Sequence, residues 1–150
     1  MDHNMFCFQC EQTAGCTGCT SRGVCGKDAQ TAQVQDRLTG ALIGLARAAD
    51  TSPDAGPETW QLMIEGLFAT LTNVNFDPDS LNALAGRVRA EKQRLVPDCA
   101  VCTAPCGRTG DYDLAQLWGA QEDIRSLKSL LLFGSRGMAA YAYHANVLNY

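Results

Sequence analysis

Residues 28–50 read D-A-Q-T-A-Q-V-Q-D-R-L-T-G-A-L-I-G-L-A-R-A-A-D. Val34, Leu38, Ala41, Leu42, Leu45 and Ala49 return mostly at steps of three and four, which gathers them on one stripe of an α-helix. Gly40 and Gly44 sit inside this pattern against helix propensity, and their missing side chains point to close approach of another helix.

The same period continues towards the C-terminus. Thr51–Pro57 is a connector, and Pro57 is suited to the first turn of a second helix, where its missing N–H costs nothing. On that helix Trp60, Met63, Ile64, Leu67, Phe68 and Leu71 form the expected apolar face. Thr70–Asp77 ends it. Asp77 followed by Pro78 is an N-cap and first-turn pair, and Leu81, Leu84, Ala85, Val88 and Leu95 carry the stripe along a third helix that Pro97 stops. A polar, cysteine-bearing loop then runs from Asp98 to about Tyr112.

From Gln121, a seam of Ile124, Leu127, Leu131, Gly134, Met138, Tyr141, Ala145 and Leu148 predicts a long final helix. After Lys128 its one formally charged residue is Arg136. A helix so nearly apolar all round is expected to be covered on more than one side, here by protein outside this chain. Ser129, Ser135, Arg136 and two glycines interrupt the apolar run that a membrane span would need. No segment alternates with period two. The expected fold is therefore all-α, an antiparallel helical bundle. It forms one domain over 1–150, with helices near 28–50, 57–72, 78–96 and 121–148.

Composition narrows the function. With 46% hydrophobic and 19% charged residues the chain is that of a folded protein. A net charge of −4 leaves no electrostatic footprint for nucleic acid or an anionic membrane surface. Met1–Phe6 leaves no room for a secretory leader before Cys7, so a reducing, cytoplasmic setting is expected. His3 lies in this extension and is not a ligand candidate.

Upstream of the first helix the pattern changes character. Residues 7–25 read C-F-Q-C-E-Q-T-A-G-C-T-G-C-T-S-R-G-V-C, five of the eight cysteines within nineteen residues. A segment with so few large apolar side chains builds no core of its own. Its glycines (Gly15, Gly18, Gly23, Gly26) suit a backbone that wraps a compact object at positive φ. Reduced thiols bunched in this way are metal ligands more often than disulfide partners. The spacing is C-x2-C, then eight residues to Cys19, then five to Cys25. By itself it leaves an iron–sulfur cluster and a structural zinc ion both open. A second group, Cys99, Cys102 and Cys106, could form a half-cage with Cys16 as fourth ligand. The alternative there is a set of free thiols or an opportunistic disulfide.

Three blocks carry a family resemblance. M-F-C-F-Q-C-E-Q-T (Met5–Thr13), with T-G-C-T (Thr17–Thr20) and G-V-C-G-K (Gly23–Lys27), resembles the N-terminus of hybrid cluster proteins, also called prismane proteins or hydroxylamine reductases. G-L-F-A-T-L-T-N-V-N-F-D (Gly66–Asp77) resembles the family's second helix and its exit. Glu122–Leu148 resembles a later helix of the same N-terminal domain. The resemblance implies that Cys7, Cys10, Cys19 and Cys25 hold a cluster. The gap lengths look like the branch with a [4Fe–4S] cubane, where another branch has longer gaps and a [2Fe–2S] cluster. It further implies that a reductase or ferredoxin-like donor supplies electrons to the cubane, which feeds a hybrid cluster that reduces hydroxylamine or nitric oxide. The ligands of that second centre, a His, glutamates and further cysteines, lie downstream of everything matched here. His144 belongs to the helix block and is expected to be a core residue, not a ligand. The chain is thus expected to be an electron-transfer domain without its catalytic site. Two other classes stay in view: a zinc-stabilised helical interaction module, and an iron–sulfur subunit that docks a separate catalytic chain through residues 121–150.

Overall fold

The structure is a computed structural model and describes residues 5–13, 15, 17–97 and 110–150. Five helices occupy them: α1 (Ala29–Thr51), α2 (Pro57–Ala69), α3 (Pro78–Leu95), α4 (Leu114–Trp118) and α5 (Glu122–Val147). Among the described residues no strand forms, and the one β-type pairing is an isolated antiparallel bridge between Cys7 and Cys19. The fold is an all-α bundle centred on α1, which packs against α2, α3 and α4.

The helix boundaries follow from their caps. Asp28 accepts a hydrogen bond from the Thr31 N–H at the start of α1. Asp77 accepts one from Asp79 N–H ahead of Pro78, and Pro57 opens α2 behind Gly56. Each side-chain cap satisfies a backbone donor that has no partner within its own helix.

The stripes read from α1 and α3 are the core. Val34, Leu38, Ala41, Leu42, Leu45 and Ala49 pack with Leu81, Leu84, Ala85, Val88 and Leu95 in one buried cluster. α1 is buried well beyond that stripe, at Gln35, Thr39, Gly40, Gly44 and Ala48 as well. The close approach expected at Gly40 is real, but its partner is a loop. A Cβ there would lie 2.2 Å from the Tyr112 carbonyl oxygen, and Tyr112 N–H donates to Gly40 C=O at 3.0 Å.

Two faces differ from the sequence reading. On α2 the buried line is Thr59, Leu62, Gly66 and Ala69, whereas Trp60 is exposed and Met63, Leu67 and Phe68 are half-buried. Small residues win because α2 lies tight on α1, where a Cβ on Gly66 would meet the Leu42 side chain at 2.6 Å. On α5 the predicted seam faces outward: Leu131 is 71%, Met138 75% and Tyr141 83% exposed. Its two buried residues are Arg136 and Ala139. α5 holds to α2 through Phe68 stacked on Tyr143 at 4.4 Å, with His144 edge-on to Phe68. His144 is exposed and not a core residue, because α5 meets the bundle along one edge only. The turn α4 has no counterpart in the sequence reading. No helix among the described residues is long and apolar enough to cross a membrane.

Candidate metal centre

The cysteine loop is closed before it reaches α1. Cys7 N–H donates to Cys19 C=O at 3.0 Å and Cys19 N–H returns the bond at 2.8 Å. This places Cys7 and Cys19 side by side. Thr13 ties the intervening loop down, donating to Cys7 C=O at 3.1 Å and lying 3.8 Å from Cys19 Sγ. Cys7 and Cys19 are buried, and Cys10 and Cys25 half-buried.

Glycine serves this loop in two ways. Gly18 adopts φ +106°, and the Phe6 ring occupies the space a Cβ would take, 2.5 Å away. Gly23 was expected at positive φ but is not among the glycines found there. It is small because Cys25 Sγ and Lys27 crowd it, a Cβ meeting them at 3.0 and 3.1 Å. Phe6 and Phe8 pack on Trp118 of α4, at 5.1 and 4.9 Å between ring centres. Phe8 is buried there with Leu114 and Leu117, in a cluster separate from the one that holds Met5, Cys7, Cys19 and Ala32.

Behind the loop lies a buried polar network that sequence reasoning missed. Arg136 of α5 is 1% exposed. Its guanidinium donates to Gln9 C=O at 3.1 Å, Gln9 Oε1 at 3.2 Å, Thr39 Oγ1 at 2.9 Å and Thr70 Oγ1 at 3.1 Å. One side chain therefore joins the cysteine loop to α1, to the end of α2 and to α5. Gln9 passes the connection on, its amide donating to Asp36 of α1. Lys27, 4% exposed, donates to Gln35 and lies 3.9 Å from Cys7 Sγ.

Burial dominates the electrostatics. It pushes the Asp36 carboxyl up to about 6, against lowering contributions from Gln9, Lys27 and Arg136. It pulls Arg136 down to about 10, which leaves the guanidinium charged at neutral pH. The Cys7 thiol is raised, burial outweighing the Gln9 backbone hydrogen bond and Lys27. A thiol held up in this way would have to release its proton to bind a metal.

In chemistry the four thiols fit an iron–sulfur cluster, which is held by thiolates and tuned by nearby charge and hydrogen bonds. Among the described residues no three His, Cys, Asp or Glu side chains stand close enough to share a single metal ion. Cys16, Cys99, Cys102 and Cys106, the proposed second group, lie outside the described residues.

The fold is a helical bundle with a cysteine loop ahead of its first helix. The chain matches the Prismane/CO dehydrogenase family over residues 5–150 and belongs to it, a family of iron–sulfur oxidoreductases. It is 39% identical to the hydroxylamine reductase of Desulfitobacterium hafniense (strain Y51), over 98% of this chain and 30% of that protein. Against the hydroxylamine reductase of Porphyromonas gingivalis (strain ATCC 33277) the identity is 37%, over 100% of this chain and 31% of the relative. With that of Kosmotoga olearia it is 36%, over 97% and 31%. The chain thus spans just under a third of the relatives it matches.

Proposed function

We propose that this chain is an electron-transfer domain, holding one [4Fe–4S] cluster on Cys7, Cys10, Cys19 and Cys25. In a complete protein of this family it relays electrons from a reductase or ferredoxin-like donor towards a centre that reduces hydroxylamine or nitric oxide. The observation that carries the reading is the paired, buried Cys7 and Cys19 beside two buried cations, in a chain that belongs to this family.

The residues divide the work. Cys7, Cys10, Cys19 and Cys25 supply the thiolates. The Cys7–Cys19 bridge and Thr13 hold the loop, and Phe6 and Phe8 anchor its start to Trp118 of α4. The cluster, when bound, accepts and passes on single electrons. Hydroxylamine turnover is not expected of this chain alone.

Iron and acid-labile sulfide measured on anaerobically purified protein provide the test. About four irons per chain and a brown colour are expected, and serine at any of the four positions should lower the iron content. Colourless protein with stoichiometric zinc overturns the proposal in favour of a zinc-stabilised interaction module. Iron beyond four, lost on Cys102→Ser, would establish a second centre on Cys99, Cys102, Cys106 and Cys16.

A second reading rests on α5, whose outward row of Leu127, Leu130, Leu131, Met138 and Tyr141 is exposed. Exposed apolar surface on this scale marks an interface. The face docks a further domain or a partner subunit. A strictly monomeric chain that binds no apolar dye would count against that.

A further inference from the structure

The charges behind the cysteine loop do not balance. Lys27 and Arg136 are both buried cations, and among the described residues neither has a carboxylate within salt-bridge distance. Their hydrogen bonds go to neutral groups: Gln35 for Lys27, and Gln9, Thr39 and Thr70 for Arg136. The acid whose field reaches both is Asp36, joined to Arg136 only through the Gln9 amide. Two positive charges against one negative leave one in excess. A buried charge without compensation is costly, and proteins that keep one supply its counter-charge nearby.

The remaining neighbour is the cysteine loop itself. Lys27 Nζ stands 3.9 Å from Cys7 Sγ. Arg136 donates to the carbonyl of Gln9, the residue between Cys7 and Cys10 on the Cys10 side. Both cations thus face the first ligand pair from behind, from the loop's own end and from α5. Gln9, Thr39 and Thr70 would satisfy a neutral donor equally well, so hydrogen bonding alone does not call for a guanidinium here.

From this placement we infer that Lys27 and Arg136 are the fixed counter-charges of the anionic centre on the cysteine loop, and that they raise its reduction potential. The inference rests on the iron–sulfur reading above. A thiolate-ligated cluster carries net negative charge, and its potential depends on that charge and its surroundings. One electron arriving from the reductase or ferredoxin-like donor deepens the charge with no bond made or broken. A fixed positive charge nearby favours the reduced form, and its removal favours the oxidised one. Both are positioning residues in this role and touch no reacting substrate.

The test compares Lys27→Gln, Arg136→Gln and Arg136→Lys by redox titration of the purified chain, following the reduced cluster by electron paramagnetic resonance. Each neutral variant should hold its iron and show a more negative midpoint. The expected effect is roughly a tenfold fall in the reduced-to-oxidised ratio at fixed potential, about 59 mV for one electron. Arg136→Lys should stay near wild type. If the neutral variants fail to hold iron while Arg136→Lys keeps it, the charge requirement stands by a second readout. Neutral variants with full iron and a wild-type midpoint would overturn the inference, as would equal iron loss in Arg136→Lys and Arg136→Gln. A wild-type chain without iron would instead fail the functional reading beneath it.

Discussion

Three helical glycines make a graded experiment, because alanine at each meets a different neighbour. In an open helix Gly→Ala stabilises by up to about 1 kcal/mol. At Gly86 in α3 a Cβ meets nothing within 4 Å, so Gly86→Ala should realise that gain. At Gly66 it meets Leu42 Cδ2 at 2.6 Å, the end of a side chain that can turn aside. The propensity gain there is offset by roughly 1–2 kcal/mol of overpacking, for a net loss of about 0–1. At Gly40 the obstacle is the Tyr112 backbone oxygen at 2.2 Å, which cannot rotate away. Relief requires roughly 1 Å of separation between α1 and the loop before α4. That breaks the Tyr112 N–H to Gly40 C=O bond, worth about 1 kcal/mol, and loosens Arg47 from the Tyr112 ring. Against the propensity gain, Gly40→Ala should lose about 1–3 kcal/mol. Urea melts of the three variants followed by far-UV circular dichroism give the order, and amide exchange at Tyr112 reports the local break. Gly40→Ala as stable as Gly86→Ala, or with the Tyr112 amide still protected, would refute the reasoning.

Asp36 sets a pH dependence. Its folded value of about 6 lies above the ordinary 3.8, so the folded state binds the extra proton and stability falls as pH rises between about 4 and 6, by about 3 kcal/mol. The groups facing it are Gln9, Lys27, Arg136 and Asp113. Asp36→Asn keeps an acceptor for Gln9 and should lack this fall; a wild-type-minus-variant difference that stays flat from pH 4 to 7 would contradict it. At the start of α1, Asp28→Ala removes the acceptor for Thr31 N–H and should cost about 1 kcal/mol in a denaturant melt. A loss below a few tenths would mean that water caps the helix as well as the carboxylate does.

α1 and α3 were legible from sequence because large apolar residues at helical spacing coincide with the buried face. α2 was not, because tight packing on Leu42 selects Thr59, Gly66 and Ala69, and a reading that follows bulk picks Trp60 instead. Five residues of α4 are too few to show a period. α5 inverts the usual rule: its apolar seam is exposed and its one buried large side chain is Arg136. A single charge within an otherwise apolar helix was the available signal, since arginine is almost never fully buried without a partner. Sequence reading saw it only as an interruption. The choice of Cys7, Cys10, Cys19 and Cys25 as ligands rests on the family resemblance, whereas Lys27, Gln9 and Asp36 act through tertiary neighbours that no local pattern records.

The anchor between Arg136 and Gln9 spans 127 positions of the chain. Such a contact is slow to form, because a long loop must close before it rewards the chain. On a ribosome adding about 5–20 residues per second, Arg136 is made about 6–25 s after Gln9. The thiols therefore emerge first and are fastened last. Until α5 is synthesised the cysteine loop has its own Cys7–Cys19 bridge, Thr13, α1 and then α4 to shape it, but not Arg136. Docking of the cysteine loop onto Arg136 is in this way timed by translation, and waits for α5.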